Sequence, residues 1–164
     1  MRRRPRDFQK TAVYRWERLA GLVAHDDPTN HLNCRAKMSL NEAQELVARI
    51  WNGYPTGRFG GGVPVVKAGR RTSKRAGYWL SRHEITLPPW ALQVGVVAHE
   101  VAHAVAFSHV PITEIASHGP EFVRIRCEIA VAYEGADPER LGAVADDLNI
   151  RVASINQLPW RRRV

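Results

Sequence analysis

Between residues 94 and 107 the chain reads VGVVAHEVAHAVAF, and the only side chains there able to make strong polar contacts are His99, Glu100 and His103. A helix apolar almost all round is a buried one, so this stretch predicts a central helix against which the other elements must pack. Imidazoles and carboxylates inside it are costly unless hydrogen-bonded or bound to a metal. Residues four apart on a helix lie one above the other, so His99 and His103 can turn a ring nitrogen towards one cation. Glu100, one residue after the first histidine, falls beside that cation, where a carboxylate can take a proton from water.

Catalytic zinc usually takes three protein ligands, and two further histidines compete for the third place. His109 lies ten residues after His99, the spacing of HExxHxxGxxH, but Ala106 replaces the glycine that lets such a chain leave its helix. His118 opens the segment HGPEF, residues 118–122, in which Pro120 suits the first position of a new helix and Gly119 a turn. Glu114, Glu121 and Glu128 are carboxylate alternatives, whereas His25, His31 and His83 lack a spaced partner and read as surface or loop histidines.

HEVAH, fourteen residues, then HGPEF resembles the SprT-like metalloproteases, the group that includes Spartan. The resemblance covers residues 99–122 closely and the preceding strands more loosely. It implies His99, His103 and His118 as zinc ligands, and an edge strand, here residues 78–81, that receives the substrate backbone by β-augmentation. RDFQKTAVYRWE, residues 6–17, also resembles the start of a small family of metallohydrolases from actinobacteria and their phages. Many SprT-like proteins add a zinc ribbon of paired CxxC units. The two cysteines here, Cys34 and Cys127, have no ligand spacing, so no ribbon is expected and both read as reduced thiols, Cys127 packed in a helix.

The 164 residues suit a single domain with short basic tails at about 1–6 and 159–164. No apolar run follows MRRRPR as in a signal peptide, and none reaches membrane-spanning length, so the expectation is a cytoplasmic monomer without membrane contact. After Asp7, a candidate cap, Phe8, Ala12, Val13, Trp16, Leu19, Ala20 and Val23 predict a first helix, and residues 26–33 a loop. Ser39 and Glu42 form a capping-box pattern ahead of Leu40, Ala43, Leu46, Val47 and Ile50, the second helix. An irregular glycine-rich connection at 54–62 leads to three candidate strands, VPVVK, AGYWLS and EITL.

Pro88 and Pro89 end the last strand before the central helix. Phe122, Ile125, Ile129, Ala130 and Tyr133 predict another buried face, with Glu121, Arg124 and Glu128 spaced for exposed ion pairs, and residues 138–148 a last helix. Trp79, Trp90 and Trp160 read as core residues. The fold class expected is α+β, a zincin-like core with N-terminal helices, a small three-stranded sheet and the central HExxH helix.

The net charge of +8 is concentrated in RRRPR, in RRTSKR (residues 70–75) and in the terminal RRR. Such clusters can neutralise phosphates, in weak, salt-sensitive and sequence-independent association with nucleic acid. The function expected is a zinc-dependent metallohydrolase acting on protein or peptide substrates, with Glu100 as general base. The alternatives are a catalytically silent, zinc-stabilised protein that binds nucleic acid, or a hydrolase of non-peptide amides. No serine or cysteine nucleophile is expected.

Overall fold

The apolar run around HEVAH forms a sixteen-residue helix, and the sheet and two other helices lie against it. The computed structural model describes residues 5–22, 36–55 and 62–158. Among them the order is α1 (Lys10–Leu19), α2 (Leu40–Asn52), β1 (Val65–Ala68), β2 (Gly77–Trp79), β3 (Glu84–Leu87), α3 (Val94–His109), α4 (Pro120–Ile129) and α5 (Pro138–Asp147). The class is therefore α+β, five helices with one three-stranded sheet. Within α3 only Val96, His103 and His109 escape full burial, as expected of a helix with no polar face.

Local chemistry accounts for most element ends. Ser39 and Glu42 close a reciprocal capping box at α2, whose Ala43, Leu46, Val47, Ile50 and Trp51 are buried. Asp137 caps α5 by accepting from the Glu139 N–H, and Pro120 and Pro138 occupy first-turn positions where a missing N–H costs nothing. Between α4 and α5 a π-helical turn, Ala130–Glu134, ends at Gly135, whose φ of 72° suits glycine.

β3 is the middle strand, parallel to β1 from Val65↔Glu84 to Ala68↔Leu87 and antiparallel to β2 from Gly77↔Thr86 to Trp79↔Glu84. Ile85 and Leu87 of β3 are buried, as a central strand packed on helices requires. The sheet rests on α2 and α3, while α4 packs along α3. Trp16 of α1 is fully buried and its indole N–H donates to the Leu141 carbonyl, joining α1 to α5.

Several expectations need correction. Phe8 and Leu19 stand in solvent, 82% and 49% exposed, because α1 starts only at Lys10 and turns those positions outward. Asp7 does not cap it: the N-cap is Gln9, whose side chain makes no capping bond, and Asp7 is engaged elsewhere. The second strand stops at Trp79, since Leu80 and Ser81 already belong to the turn into β3. That turn holds His83, a loop histidine as expected, at a φ of 51°.

Trp79 and Trp90 are not core residues, being 58% and 46% exposed. Cys127 lies half-buried in α4, its thiol pushed up to about 11 by burial. Val23, the loop at 26–33, His25, His31, Cys34, most of the glycine-rich connection, Trp160 and both arginine tails beyond residues 5 and 158 lie outside the described residues. No described helix is long and apolar enough to cross a membrane.

Candidate metal centre

One turn of α3 separates His99 from His103, and their Nε2 atoms stand 3.1 Å apart. His118 comes from the connection before α4. Gly119 is the N-cap and Pro120 the first-turn residue, so the chain enters α4 with the imidazole turned back to α3, its Nε2 3.4 Å from that of His99. Gly119 has a φ of −70°, so its contribution is space rather than left-handed freedom: a Cβ there would stand 3.2 Å from the Ala116 carbonyl. Phe122, one turn into α4, lies under all three rings at centroid distances of 5.0, 4.4 and 5.0 Å from His99, His103 and His118. Among the described residues these three histidines form the one group able to hold a metal ion, with ligand atoms within 4.8 Å of one another.

The far side of each buried ring fixes which nitrogen carries the proton. His99 Nδ1 lies 2.9 and 3.0 Å from the two carboxylate oxygens of Glu17 in α1, and His118 Nδ1 lies 2.7 Å from Asp7 Oδ2. A carboxylate only accepts, so both Nδ1 atoms are donors and, in the neutral rings, both Nε2 atoms present bare lone pairs. Two lone pairs aimed at each other across 3.4 Å repel unless a proton or a metal cation lies between them. Nitrogens about 2.0–2.1 Å from a tetrahedral metal are roughly 3.3–3.4 Å apart, so the 3.1 and 3.4 Å separations fit such a centre.

Glu17 is itself held by Arg126 of α4, whose Nε donates to Oε1 at 2.9 Å. Arg126 is fully buried, and its two terminal nitrogens donate to Glu134, one of them at 3.1 Å. On an uninterrupted α-helix a residue eight positions on lies about 80° round the axis. The π-helical turn brings Glu134 back towards Arg126.

Burial alone would raise the Glu17 carboxyl, but His99 and Arg126 more than offset it and bring it to about 2. Burial would lower the His99 imidazolium, and Glu17 reverses this and raises it. His118 is lowered by burial and by the charge of His99, against the pull of Asp7. Carboxylates behind metal-binding histidines orient the ring and raise its basicity as a ligand.

Glu100 is buried beside His99, and the Tyr78 backbone N–H of β2 donates to its carboxylate. Burial raises its affinity for a proton, and His99 and the Tyr78 N–H draw it part of the way back. Glu100, His99 and Glu17 line a cleft of about 650 Å³ that also takes in Lys10, Tyr14, Arg18, Lys74, Arg75, Trp90 and Val96. Tyr14 stacks on His99 at 5.5 Å and tilts against His118 at 5.0 Å. Burial, then the charges of Glu100, Glu17 and Asp7, push its phenol up to about 12, so it remains a hydrogen-bond donor at neutral pH.

The other candidates fall away from this centre. Because Ala106 continues the helix, His109 is the last residue of α3, roughly 15 Å along the axis from His99. Glu128 accepts from Arg124 Nε at 2.9 Å, the ion pair expected one turn apart, while Glu114 is exposed and Glu121 stands in the first turn of α4.

Asp7, Tyr14, Glu17 and Arg126 carry no ligand spacing that would mark them as site residues, although the first three lie within RDFQKTAVYRWE. No protein-family model matches the chain, and neither does any of the curated proteins or solved structures compared with it.

Proposed function

We propose that this protein is a zinc-dependent metallohydrolase with a zincin-like core akin to the SprT-like metalloproteases, and that it cleaves peptide bonds. The observation that carries this reading is the convergence of the His99, His103 and His118 nitrogens beside a buried, otherwise costly Glu100. Three imidazoles suit zinc among the common divalent cations, and His99, His103 and His118 would hold it. Zinc, when bound, supplies Lewis acidity that activates water and polarises a carbonyl.

Glu100 takes the proton of the attacking water on a carboxylate oxygen and returns it to the leaving nitrogen. Its raised proton affinity suits both transfers, since a base works best when its pKa approaches the working pH. The Tyr78 N–H and the α3 backbone fix that carboxylate in place. β2 is an edge strand of the sheet, which gives an extended substrate a backbone to pair with. Its Tyr78 N–H is already committed to Glu100, so that pairing uses the remaining groups of the strand.

A silent zinc-stabilised protein has no use for a buried carboxylate at the mouth of the histidine cluster. Glu100→Gln keeps the shape of the side chain but cannot accept the proton. Zinc content and thermal melting are expected to stay at wild-type levels while casein hydrolysis falls about 100- to 10,000-fold. Wild-type hydrolysis by the variant would remove Glu100 from the reaction and the peptidase reading with it.

A further inference from the structure

Helix α1 presents Lys10, Tyr14 and Arg18 to the cleft, because residues four and eight apart stack along one face. Lys74 and Arg75, from the connection between β1 and β2, line the same cleft, as does Trp90 from the turn before α3. All four cations are exposed, and none pairs with a carboxylate among the described residues. Lys10 does lie 5.9 Å over the Tyr14 ring. Of the two carboxylates in the cleft, Glu17 is already hydrogen-bonded by His99 and Arg126. Four exposed positive charges without carboxylate partners among the described residues therefore share the cleft with Glu100 and the already bonded Glu17.

The spacing along α1 gives this charge a direction. Lys10 and Arg18, eight residues apart, are separated by about 12 Å along the helix axis. That is the length of roughly three to four residues of extended peptide. Tyr14, midway between them, lies against His99. A chain laid along α1 with its reacting bond over His99 thus brings side chains about two residues to either side within reach of a cation.

We infer that the cleft selects acidic polypeptide, with Asp or Glu about two residues to either side of the bond cleaved, through Lys10 and Arg18 and through Lys74 and Arg75. This rests on the peptidase reading of the same site. A polypeptide is favoured over nucleic acid because the cations share their cleft with Glu100 and His99, groups arranged to act on an amide. A phosphate drawn to the same point would meet the Glu100 carboxylate.

The test uses the full zinc-loaded chain, its Glu100→Gln variant and two labelled peptides of one length, identical except that Asp and Glu in one are Asn and Gln in the other. Binding to Glu100→Gln, read by fluorescence anisotropy at low salt, is expected to be about ten-fold tighter for the acidic peptide, each exposed pair contributing a factor of about 1.5 to 5. The advantage shrinks as salt rises. Lys74→Gln with Arg75→Gln, added to that background, is expected to cut the preference to about three-fold, since Lys10 and Arg18 remain. Arg15→Gln with Arg71→Gln, the same change of charge at exposed residues outside the cleft, is expected to keep it.

Equal affinity for the two peptides overturns the proposal. So does a single-stranded oligonucleotide whose binding depends on Lys74 and Arg75 when peptide binding does not. Equal affinity together with equal cleavage by the wild type removes acid selection and leaves the peptidase reading standing. A retained preference without cleavage of either peptide removes the peptidase reading and leaves an acidic-peptide binding site.

Discussion

At Glu17 one carboxylate accepts from both His99 and Arg126, so a residue of the first helix sets the orientation of His99 on the third. Its depressed pKa makes it a pH-dependent stabiliser. A carboxyl near 4.3 in the unfolded chain and near 2 in the fold contributes stability that is fully present above about pH 4.3 and lost as pH falls towards 2. Glu17→Gln keeps an acceptor for His99 but leaves the Arg126 guanidinium with one charged partner fewer, a break in a buried network that costs about 3–5 kcal/mol. Zinc affinity is expected to fall about 10- to 100-fold, the usual effect of losing a carboxylate behind a ligating histidine. Asp7→Asn acts on His118 in the same way with less effect on folding, since Asp7 is partly exposed. Chelator competition read against urea denaturation separates the two effects, and an unchanged zinc affinity in Glu17→Gln would refute the positioning role.

Two elements present the histidines, and they differ in what each contributes. Helix α3 fixes His99 and His103 by its own periodicity, whereas His118 depends on the turn that starts α4. His118→Ala is expected to abolish zinc retention after dialysis, and His109→Ala to leave it intact, because the unbroken helix carries His109 away from the centre. The reverse pattern, measured by metal analysis of both variants, would put the ligands on one helix and its exit. This level was largely legible in the sequence: HEVAH, the α2 capping box, the prolines at helix starts and the β3 segment all act within a few residues. The rest acts across the chain. Asp7 meets His118 and Glu17 meets Arg126 over more than a hundred positions, and no local spacing marks such a pair. The exposure of Trp79 and Trp90 is hidden in the sequence for a related reason, since a short edge strand and a turn beside a cleft leave large rings without a covering layer.

Across the whole molecule the histidine cluster gathers segments distant in sequence. Asp7 precedes α1, Glu17 lies within it, His99 and His103 belong to α3, and His118 leads into α4. Gln9 reinforces the gathering, donating to the His118 carbonyl at 2.9 Å and to that of Arg151 at 3.2 Å, and accepting from the Arg151 N–H at 3.1 Å. A ligand that binds only the folded state adds about 2.7 kcal/mol at a hundred times its dissociation constant. In a chain of this size that corresponds to roughly 5–10 °C in melting temperature. Calorimetry with and without zinc is expected to show that rise in the wild type and to lose it in His118→Ala, while a rise retained by the variant would place the zinc elsewhere. The most direct measurement is an anomalous-scattering map recorded across the zinc edge on crystals of the zinc-loaded protein. The account predicts one strong peak about 2.0–2.1 Å from the Nε2 atoms of His99, His103 and His118, with the Glu100 carboxylate beside it and not bound to it. A map without a peak among those three nitrogens, or with its peak at another set of ligands, would contradict it.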